Sequence, residues 1–218
     1  MADREITPDE IVEFWFPDGP APEPEKHVDL WVWRMRGGAH NAVVERYSEI
    51  TKRAAEGDLD GWAETARGRL ALIILLDQFS RSVWAGTPEA FAQDPKALDL
   101  CLKGLDNGHF DALENVWQKS VFKLPLEHCE CPEHLANLDR AVAIARQIVE
   151  EAPEYLRPFY EIGAQQPVKI RAVIAEFGRH PHRNTTLGRD STPEEEAYLS
   201  KGVFPHQTDL KAQAKPFL

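Results

Sequence analysis

The chain has 218 residues and a formal net charge of −11, from 36 acidic and 25 basic residues. This negative charge disfavours nonspecific binding to nucleic acid or to anionic lipid, because both need a positively charged protein surface. The hydrophobic fraction of 43% and the charged fraction of 28% are typical of a globular protein and exclude wholesale disorder. We therefore predict a single folded domain over residues 1–218, in which any anionic partner is bound at a local site.

The predicted elements are helices from the beginning of the chain. Thr7-Pro8-Asp9-Glu10 has the pattern of a capping box with proline at the first helical position, which predicts a helix start there. The segment HVDLWVWRM at 27–35 alternates as a β-strand does, but a lone strand has no partner. Helical spacing recurs around 43–54, 94–105, 135–149 and 170–177, and a second capping box begins at Thr192. The pattern as a whole predicts an all-α fold.

Two segments between and after these helices have a different composition. Residues 17–26 are rich in proline and glutamate and predict a flexible segment, and residues 201–218 predict a partly extended tail. The three cysteines cannot form a closed disulfide framework. Reduced thiols, the absence of a signal-peptide pattern at the start and the absence of a membrane-spanning apolar run predict a cytoplasmic protein without a membrane partner.

The segment LALIILL at 70–76 is apolar on every side, which predicts a central helix buried on every side. It continues directly into Asp77-Gln78-Phe79-Ser80-Arg81, where Asp77 and Arg81 are spaced for an ion pair along a helix. One interpretation is an internal ion pair that fixes helix packing. The other is a site in which Gln78 and Arg81 line a cavity and Asp77 orients Arg81.

A second polar cluster, LPLEHCECPEH at 124–134, precedes a predicted helix. A carboxylate beside a histidine serves acid–base chemistry, because the carboxylate fixes the imidazole tautomer. A C-x-C pair followed by proline is not the spacing of a structural zinc site. Three interpretations stay open: a hydrogen-bonded turn, a binding or acid–base role for Glu127 and His128, and a metal site.

The third cluster, EFGRHPHRNTTLGRDSTPEE at 176–195, concentrates positive charge in an acidic chain. Gly178 ends a predicted helix and Pro181 disfavours helical backbone at His180, so we predict an ordered loop. Its arginines either tie helix ends and carboxylates together or capture an anionic ligand, for which the planar guanidinium is well suited. A metal held by His180 and His182 is the third interpretation.

The runs at 69–94, 124–130 and 176–199 together resemble the bacterial family catalogued as domain of unknown function 924. The resemblance implies an all-α fold related to tetratricopeptide-repeat proteins, with no settled biochemical activity. It matches the family pattern at Asp77, Gln78, Phe79, Arg81, Phe91, Asp94, Glu127, His128, Glu130, Gly178, Arg179, Pro181, His182, Arg183, Asn184, Leu187, Gly188 and Arg189. The chain departs from it at Ser80, Ala85, Cys129, His180 and Ile170, where the resemblance leads us to expect proline, arginine, serine, an aromatic residue and histidine. The last departure removes one candidate ligand or proton carrier.

These observations predict a tetratricopeptide-like helical bundle that binds a small anion or an acidic peptide end in one pocket. The predicted binding residues are Gln78, Arg81, His128, Arg179, His182, Arg183, Asn184 and Arg189, and the predicted orienting carboxylates are Asp77, Glu127 and Glu130. We expect no metal and no cofactor. A hydrolase that uses His128 or His182 as base is the first alternative. A scaffold that binds a partner or a second copy through Trp31 and Trp33 is the other, so a homo-oligomer is left open.

Overall fold

The structure is a computed structural model and describes residues 5–202, 204–205 and 209–217. Every regular element within these ranges is helical, which confirms the predicted all-α class. The tetratricopeptide-like topology and the single domain stay predictions. One large hydrophobic core runs from Ile11 to Ala214, with a small satellite of Leu138, Ile170 and Ile174.

Short connections join the helices, and several of these connections contain a 3₁₀ turn. The first helices are α1 (Pro8–Trp15), α2 (Pro24–Met35), α3 (His40–Glu56), α4 (Ala66–Ile73), which continues into a π-helical segment (Ile74–Phe79), α5 (Ser80–Val83), α6 (Glu89–Ala92) and α7 (Asp94–Asp106). The later ones are α8 (Val116–Phe122), α9 (Pro125–His128), α10 (His134–Glu151), α11 (Arg157–Gly163), α12 (Gln165–Phe177), α13 (Pro193–Ser200) and α14 (Leu210–Ala214). The 3₁₀ turns of the described ranges include Asp60–Glu64, Glu154–Leu156, Pro181–Arg183 and Lys215–Phe217.

The predicted helix boundaries are confirmed by their capping contacts. The Thr7 hydroxyl accepts a hydrogen bond from the Glu10 amide at 3.3 Å, and the Glu10 carboxylate accepts one from the Thr7 amide at 3.1 Å. Thr192 and Glu195 repeat this reciprocal arrangement at the start of α13. Gly178 ends α12 with φ of 69°, a backbone conformation that favours glycine. Local side-chain chemistry therefore sets where these helices begin and end.

The segment 27–35 is helical, so its strand-like alternation is misleading. It forms most of α2, which begins with Pro24 at the first position. The buried residues His27, Val28 and Arg34 recur at helical spacing along it. A helix satisfies its backbone hydrogen bonds internally, whereas a lone strand would leave them unpaired beside the core.

The central helix is confirmed. All seven residues from 70 to 76 are 0% exposed. Helix α4 packs against α1 and α7, and the π-helical segment that follows it packs against α3. This wider turn interrupts the α-helical hydrogen-bond ladder and ends in Asp77, Gln78 and Phe79. The polar groups that follow the apolar run therefore begin inside the protein.

The two segments predicted to be flexible or extended are described in part. Asp18, within 17–26, is buried and accepts hydrogen bonds from Arg34 Nη1 at 2.6 Å and from His27 Nδ1 at 2.7 Å. In the tail, helix α14 packs against α2 and α11, while residues 203, 206–208 and 218 lie outside the described residues. The flexibility of 17–26 and the extension of 201–218 stay predictions.

Within the described ranges, no helix combines the length and the apolar character that a transmembrane span requires. The cytoplasmic location stays a prediction.

Gly104 of α7 lies where Phe122 of α8 and Arg69 of α4 leave no room for a side chain. A Cβ atom there would lie 2.4 Å from Phe122 Cζ and 2.6 Å from Arg69 Cδ. Because Phe122 is fully buried and cannot move aside, we expect Gly104→Ala to lower the free energy of unfolding by about 1–3 kcal/mol. Gly61→Ala is the control, since a Cβ there has no heavy atom within 4 Å. Equal losses for both variants in chemical denaturation would contradict this packing.

Candidate functional site

The candidate site is a cavity of about 470 Å³ between the helices. The three polar segments of the sequence all reach it, although they are far apart in the chain. What we call its polar wall contains Gln78, Arg81, Lys123, Glu127, His128, His180, His182 and Arg183, and the cavity is also lined by Arg34, Arg36 and His40. The structure therefore brings six of the sequence-predicted site residues, Gln78, Arg81, Glu127, His128, His182 and Arg183, to one cavity.

Asp77 holds His128 in a fixed orientation at this wall. The fully buried Asp77 carboxylate accepts a hydrogen bond from His128 Nδ1 at 2.8 Å and one from Gln78 Nε2 at 2.5 Å. Burial raises the pKa of Asp77, but the charge and hydrogen bond of His128, with Arg81 and Gln78, lower it below its ordinary value. An ionised Asp77 fixes the proton of the imidazole on Nδ1.

The other ring nitrogen of His128 is available to a bound molecule. The side chain of His128 is 25% exposed and lines the cavity. Among the described residues, its Nε2 has no hydrogen-bond partner. A neutral imidazole oriented in this way presents an acceptor at Nε2, and a protonated one presents a donor.

Two arginines from remote segments meet at Asp94 and Phe91. Arg81 Nη2 lies 2.5 Å from one carboxylate oxygen of Asp94, and Arg183 Nη1 lies 2.8 Å from the other. The guanidinium carbons of Arg81 and Arg183 lie 4.7 and 4.5 Å from the ring centroid of Phe91. The shared carboxylate and the aromatic ring offset the repulsion between the two cations. Arg81 is 25% exposed on its side chain, whereas Arg183 is almost fully buried.

Within this wall, Glu127 connects the second and third polar segments. Its carboxylate forms a buried ion pair with Lys123. Its backbone carbonyl accepts hydrogen bonds from Nε2 of His134 at 3.2 Å and from Nε2 of His180 at 3.1 Å. Burial lowers the pKa of both histidines, and the charge of Arg183 lowers it further. Both imidazoles are therefore neutral at pH 7, with the proton on Nε2.

The remaining predicted binding residues of the loop lie outside the cavity and hold the loop together. Arg179 donates two hydrogen bonds of 2.7 Å to Glu195, which Asn184 also contacts at 3.1 Å. Arg179 lowers the pKa of Glu195 to about 2. Arg189 Nη1 lies 2.5 Å from Glu130. This geometry matches the tying interpretation for Arg179, Asn184 and Arg189, with Glu130 as an anchoring carboxylate.

The metal interpretations find no support in the geometry. Within the described residues, no three or more His, Cys, Asp or Glu side chains are grouped to hold a metal ion. The pKa of Cys129 is raised to about 12 by burial and then by Cys131, which keeps this thiol protonated and weakly nucleophilic.

The apolar part of the cavity wall is the main feature that sequence reasoning missed. It contains Trp31, Met35, Ile148, Phe159, Ile170 and Val173. Such residues show the same helical spacing as ordinary core residues, so no sequence signal separates the two. Ile170, where the family resemblance leads us to expect histidine, lies in this wall. Lys123 was missed as well.

Trp31 and Trp33, the residues of the scaffold hypothesis, are partly buried. The ring centroid of Trp31 lies 5.8 Å from that of Phe159, and Trp33 packs against Phe14 at 5.5 Å and Trp15 at 6.2 Å. The scaffold role and self-association stay predictions.

The described residues thus define an all-α protein with a cavity that has a charged wall and an apolar wall. A family model described as bacterial protein of unknown function (DUF924) matches residues 11–203, so the chain belongs to this family, as the resemblance predicted. The chain is similar to the solved structure of a protein of unknown function from Agrobacterium tumefaciens. The two are 32% identical, with a TM-score of 0.70, over 89% of this chain and 97% of that chain. A comparison with curated proteins finds no match.

Proposed function

We propose that the cavity binds a small organic anion, with the acidic group at the polar wall and an apolar body against the apolar lining residues. The observation that carries this proposal is the meeting of Gln78, Arg81 and His128 with a set of large apolar side chains in one cavity. Small-molecule sites commonly have this composition, mostly apolar with a few convergent polar groups, and volumes of about 300–1,000 Å³. The end of an acidic peptide also presents an acidic group, so the proposal includes such a ligand.

The polar wall is suited to an anion because its exposed groups are donors. Arg81 and His128 each leave a quarter of the side chain accessible. Their carboxylate partners lie behind them, with Asp77 fully buried and Asp94 5% exposed on its side chain. An arriving anion therefore meets the positive ends of fixed, oriented ion pairs. The arginines are held in place before binding, which reduces the entropy lost on binding.

Acid–base catalysis is the second candidate function, and the Asp77–His128 pair favours it. In this scheme Nε2 of His128 accepts a proton from a water molecule that attacks the carbonyl carbon of a bound ester. The proton then passes to the departing alkoxide, and an acid and an alcohol are released. Arg81 stabilises the negative charge that develops on the carbonyl oxygen. Turnover of ester probes by the parent, lost in His128→Gln, supports this function, and the absence of turnover by the parent contradicts it.

Blocking the apolar wall tests the binding function. Ile170→Phe places a larger side chain into the cavity, and Val168→Phe is the control on the same helix, because Val168 is 43% exposed and outside the cavity. Straight-chain and aryl-substituted carboxylates and phosphate monoesters form the probe panel, read by thermal shift and calorimetry. We expect at least one probe to stabilise the parent and Val168→Phe, and to bind Ile170→Phe at least tenfold more weakly.

Two results would contradict this function. The first is a parent protein that no probe in the panel stabilises. The second is equal binding of a probe by the parent and by Ile170→Phe, which would place the bound anion elsewhere on the protein.

A further inference from the structure

We infer that the cavity binds organic acids that carry a second oxygen acceptor, and that Trp15 and Arg34 donate hydrogen bonds to this second oxygen. The inference rests on the proposed function and names the class of its ligand, an acid with a keto oxygen or a second carboxylate along its chain. It is carried by buried N–H groups of the cavity lining that have no acceptor in the part of the chain that the structure describes.

Buried polar side-chain atoms without a hydrogen-bond partner are concentrated at this cavity. Within the described ranges there are six such atoms, and four of them belong to residues that line it: Trp15 Nε1, Arg34 Nε, Arg183 Nε and the hydroxyl of Tyr198. Buried polar groups are nearly always hydrogen-bonded, so each exception needs an explanation. The first three of the four are N–H groups, which can only donate. An acceptor on a molecule in the cavity would satisfy them.

Two of these atoms lie outside the polar wall. Arg183 belongs to the polar wall, where the proposed function places the acidic group of the ligand. Trp15 and Arg34 belong to α1 and α2, which contribute no residue to that wall. The two residues are in contact, because Arg34 Nη1 donates a hydrogen bond to the Trp15 carbonyl at 3.0 Å. We call Trp15 Nε1 and Arg34 Nε the second donor group.

Arg34 is held in place before a ligand binds. Its Nη1 and Nη2 donate to the two carboxylate oxygens of Asp18 at 2.6 and 3.3 Å, and Asp18 also accepts a hydrogen bond from His27 Nδ1 at 2.7 Å. The side chains of Arg34 and Asp18 are both 0% exposed. The guanidinium carbon of Arg34 lies 5.6 Å from the ring centroid of Trp31, another lining residue. Arg34 cannot turn away without breaking a buried ion pair, so its Nε–H is oriented in advance, which reduces the entropy lost on binding.

The chemistry of the second donor group sets the kind of atom that it binds. An indole N–H and a guanidinium Nε–H have no acceptor capacity, so an ammonium group placed there would find no partner. An apolar chain end would leave both N–H groups buried and unpaired. A keto oxygen or a carboxylate oxygen has two lone pairs and can accept from both. Arg36, two residues after Arg34, also lines the cavity, and its positive charge is compatible with a second carboxylate.

The test compares acids that differ only in the second acceptor. Octanoate, decanoate and dodecanoate are each matched with the (ω−1)-oxo acid, which adds a keto oxygen, and with the α,ω-diacid, which adds a carboxylate. Calorimetry at constant pH measures the dissociation constants. We expect at least one oxygenated acid to bind the parent at least tenfold more tightly than its unsubstituted match, because it pairs donors that the match leaves unpaired. The oxygenated acid that gains this affinity identifies the second group as keto or carboxylate.

Trp15→Phe removes one N–H of the second donor group and keeps an aromatic ring. Trp33→Phe is the matched control, because Trp33 packs against Trp15 at 6.2 Å between ring centroids and is not a lining residue of the cavity. The readout is the dissociation constant of the unsubstituted acid divided by that of its oxygenated match, since a change in cavity shape affects both acids. We expect this ratio to fall about fivefold in Trp15→Phe and to stay unchanged in Trp33→Phe.

Two further measurements keep the test decisive if Trp15→Phe loses stability. Replacement of Trp15 by 3-benzothienylalanine, in which sulfur takes the place of the indole N–H, keeps the shape of the side chain and should lower the ratio equally. The six tryptophans of the chain each give an indole N–H signal in NMR spectra, and the signal of Trp15 is the one lost on this replacement. We expect that signal to move downfield with the oxygenated acid and to move less with its unsubstituted match.

Different failures have different meanings. Equal affinity of the parent for oxygenated and unsubstituted acids, or a preference that both replacements of Trp15 retain in full, would overturn this inference and leave the anion-binding function intact. Failure of the parent to bind any acid of this panel or of the earlier one would overturn both.

Discussion

Asp94→Ala is expected to lower the free energy of unfolding by about 3–5 kcal/mol, the largest loss that we predict for a single substitution. Asp94 is 4% exposed and accepts one hydrogen bond from Arg81 and one from Arg183. Its removal leaves two neighbouring guanidinium groups beside Phe91 without their shared carboxylate. Arg183, almost fully buried, cannot turn outward to water, so the cost is that of an unpaired buried charge.

The control for this substitution lies on the same helix. Asp99 pairs with Lys103 on the exposed face of α7, and Asp99→Ala is expected to cost less than about 1 kcal/mol. Asp94→Asn keeps one acceptor and should fall between these values. Chemical denaturation monitored by circular dichroism measures all three. Equal losses for Asp94→Ala and Asp99→Ala would show that the two arginines do not depend on Asp94.

The second large effect is a loss of stability on mild acidification. His134 and His180 have pKa values below the ordinary value of 6.5, because burial disfavours their charged forms. The unfolded chain therefore binds more protons than the folded protein at pH values below about 6.5, so stability falls as the pH falls. Each histidine contributes a slope of up to about 1.4 kcal/mol per pH unit, which continues down to its folded-state pKa.

Carboxylates change the stability of the folded protein in a separate, more acidic range of pH. Asp18, Asp77, Glu130 and Glu195 have lowered pKa values, so their contribution is complete above pH 4.5 and is lost as the pH falls through their folded-state values. The slope between pH 6.5 and 5 therefore reports histidines. It is measured by urea denaturation at half-unit steps of pH. We expect His180→Phe to reduce this slope, and an unchanged slope would contradict the neutral, buried state of His180.

The parts of the fold that the sequence predicts well are those set by local chemistry. The Thr7 and Thr192 capping boxes and the Gly178 terminus involve residues within a few positions of each other, so their patterns determine the geometry directly. The run 70–76 is equally clear, because a helix that is apolar on every side has no solvent-facing alternative. Helix α2 is harder to predict, since a short alternating pattern is compatible with both the helical period and the strand period.

The candidate site likewise has features that the sequence predicts and features that it does not. The polar residues can be recognised from the sequence as site candidates, because a charged side chain beside a buried helix needs a partner. In the structure Asp77 and Arg81 contact residues of other polar segments. The sequence does not show that Arg179 and Arg189 turn away from the cavity while Arg183 lines it, because that depends on how residues 179–189 fold as a loop. It also does not show that Phe159 and Ile170 border a cavity, since a cavity is a gap between elements remote in sequence.

The position of a bound anion can be observed directly by growing crystals with 10-bromodecanoate and measuring the anomalous scattering of bromine. We predict a bromine peak among Ile148, Phe159 and Ile170, with the carboxylate within hydrogen-bonding distance of His128 Nε2 and Arg81. Crystals without a bromine peak in the cavity, or with the carboxylate bound on the outer surface, would contradict an anion-binding role for this cavity.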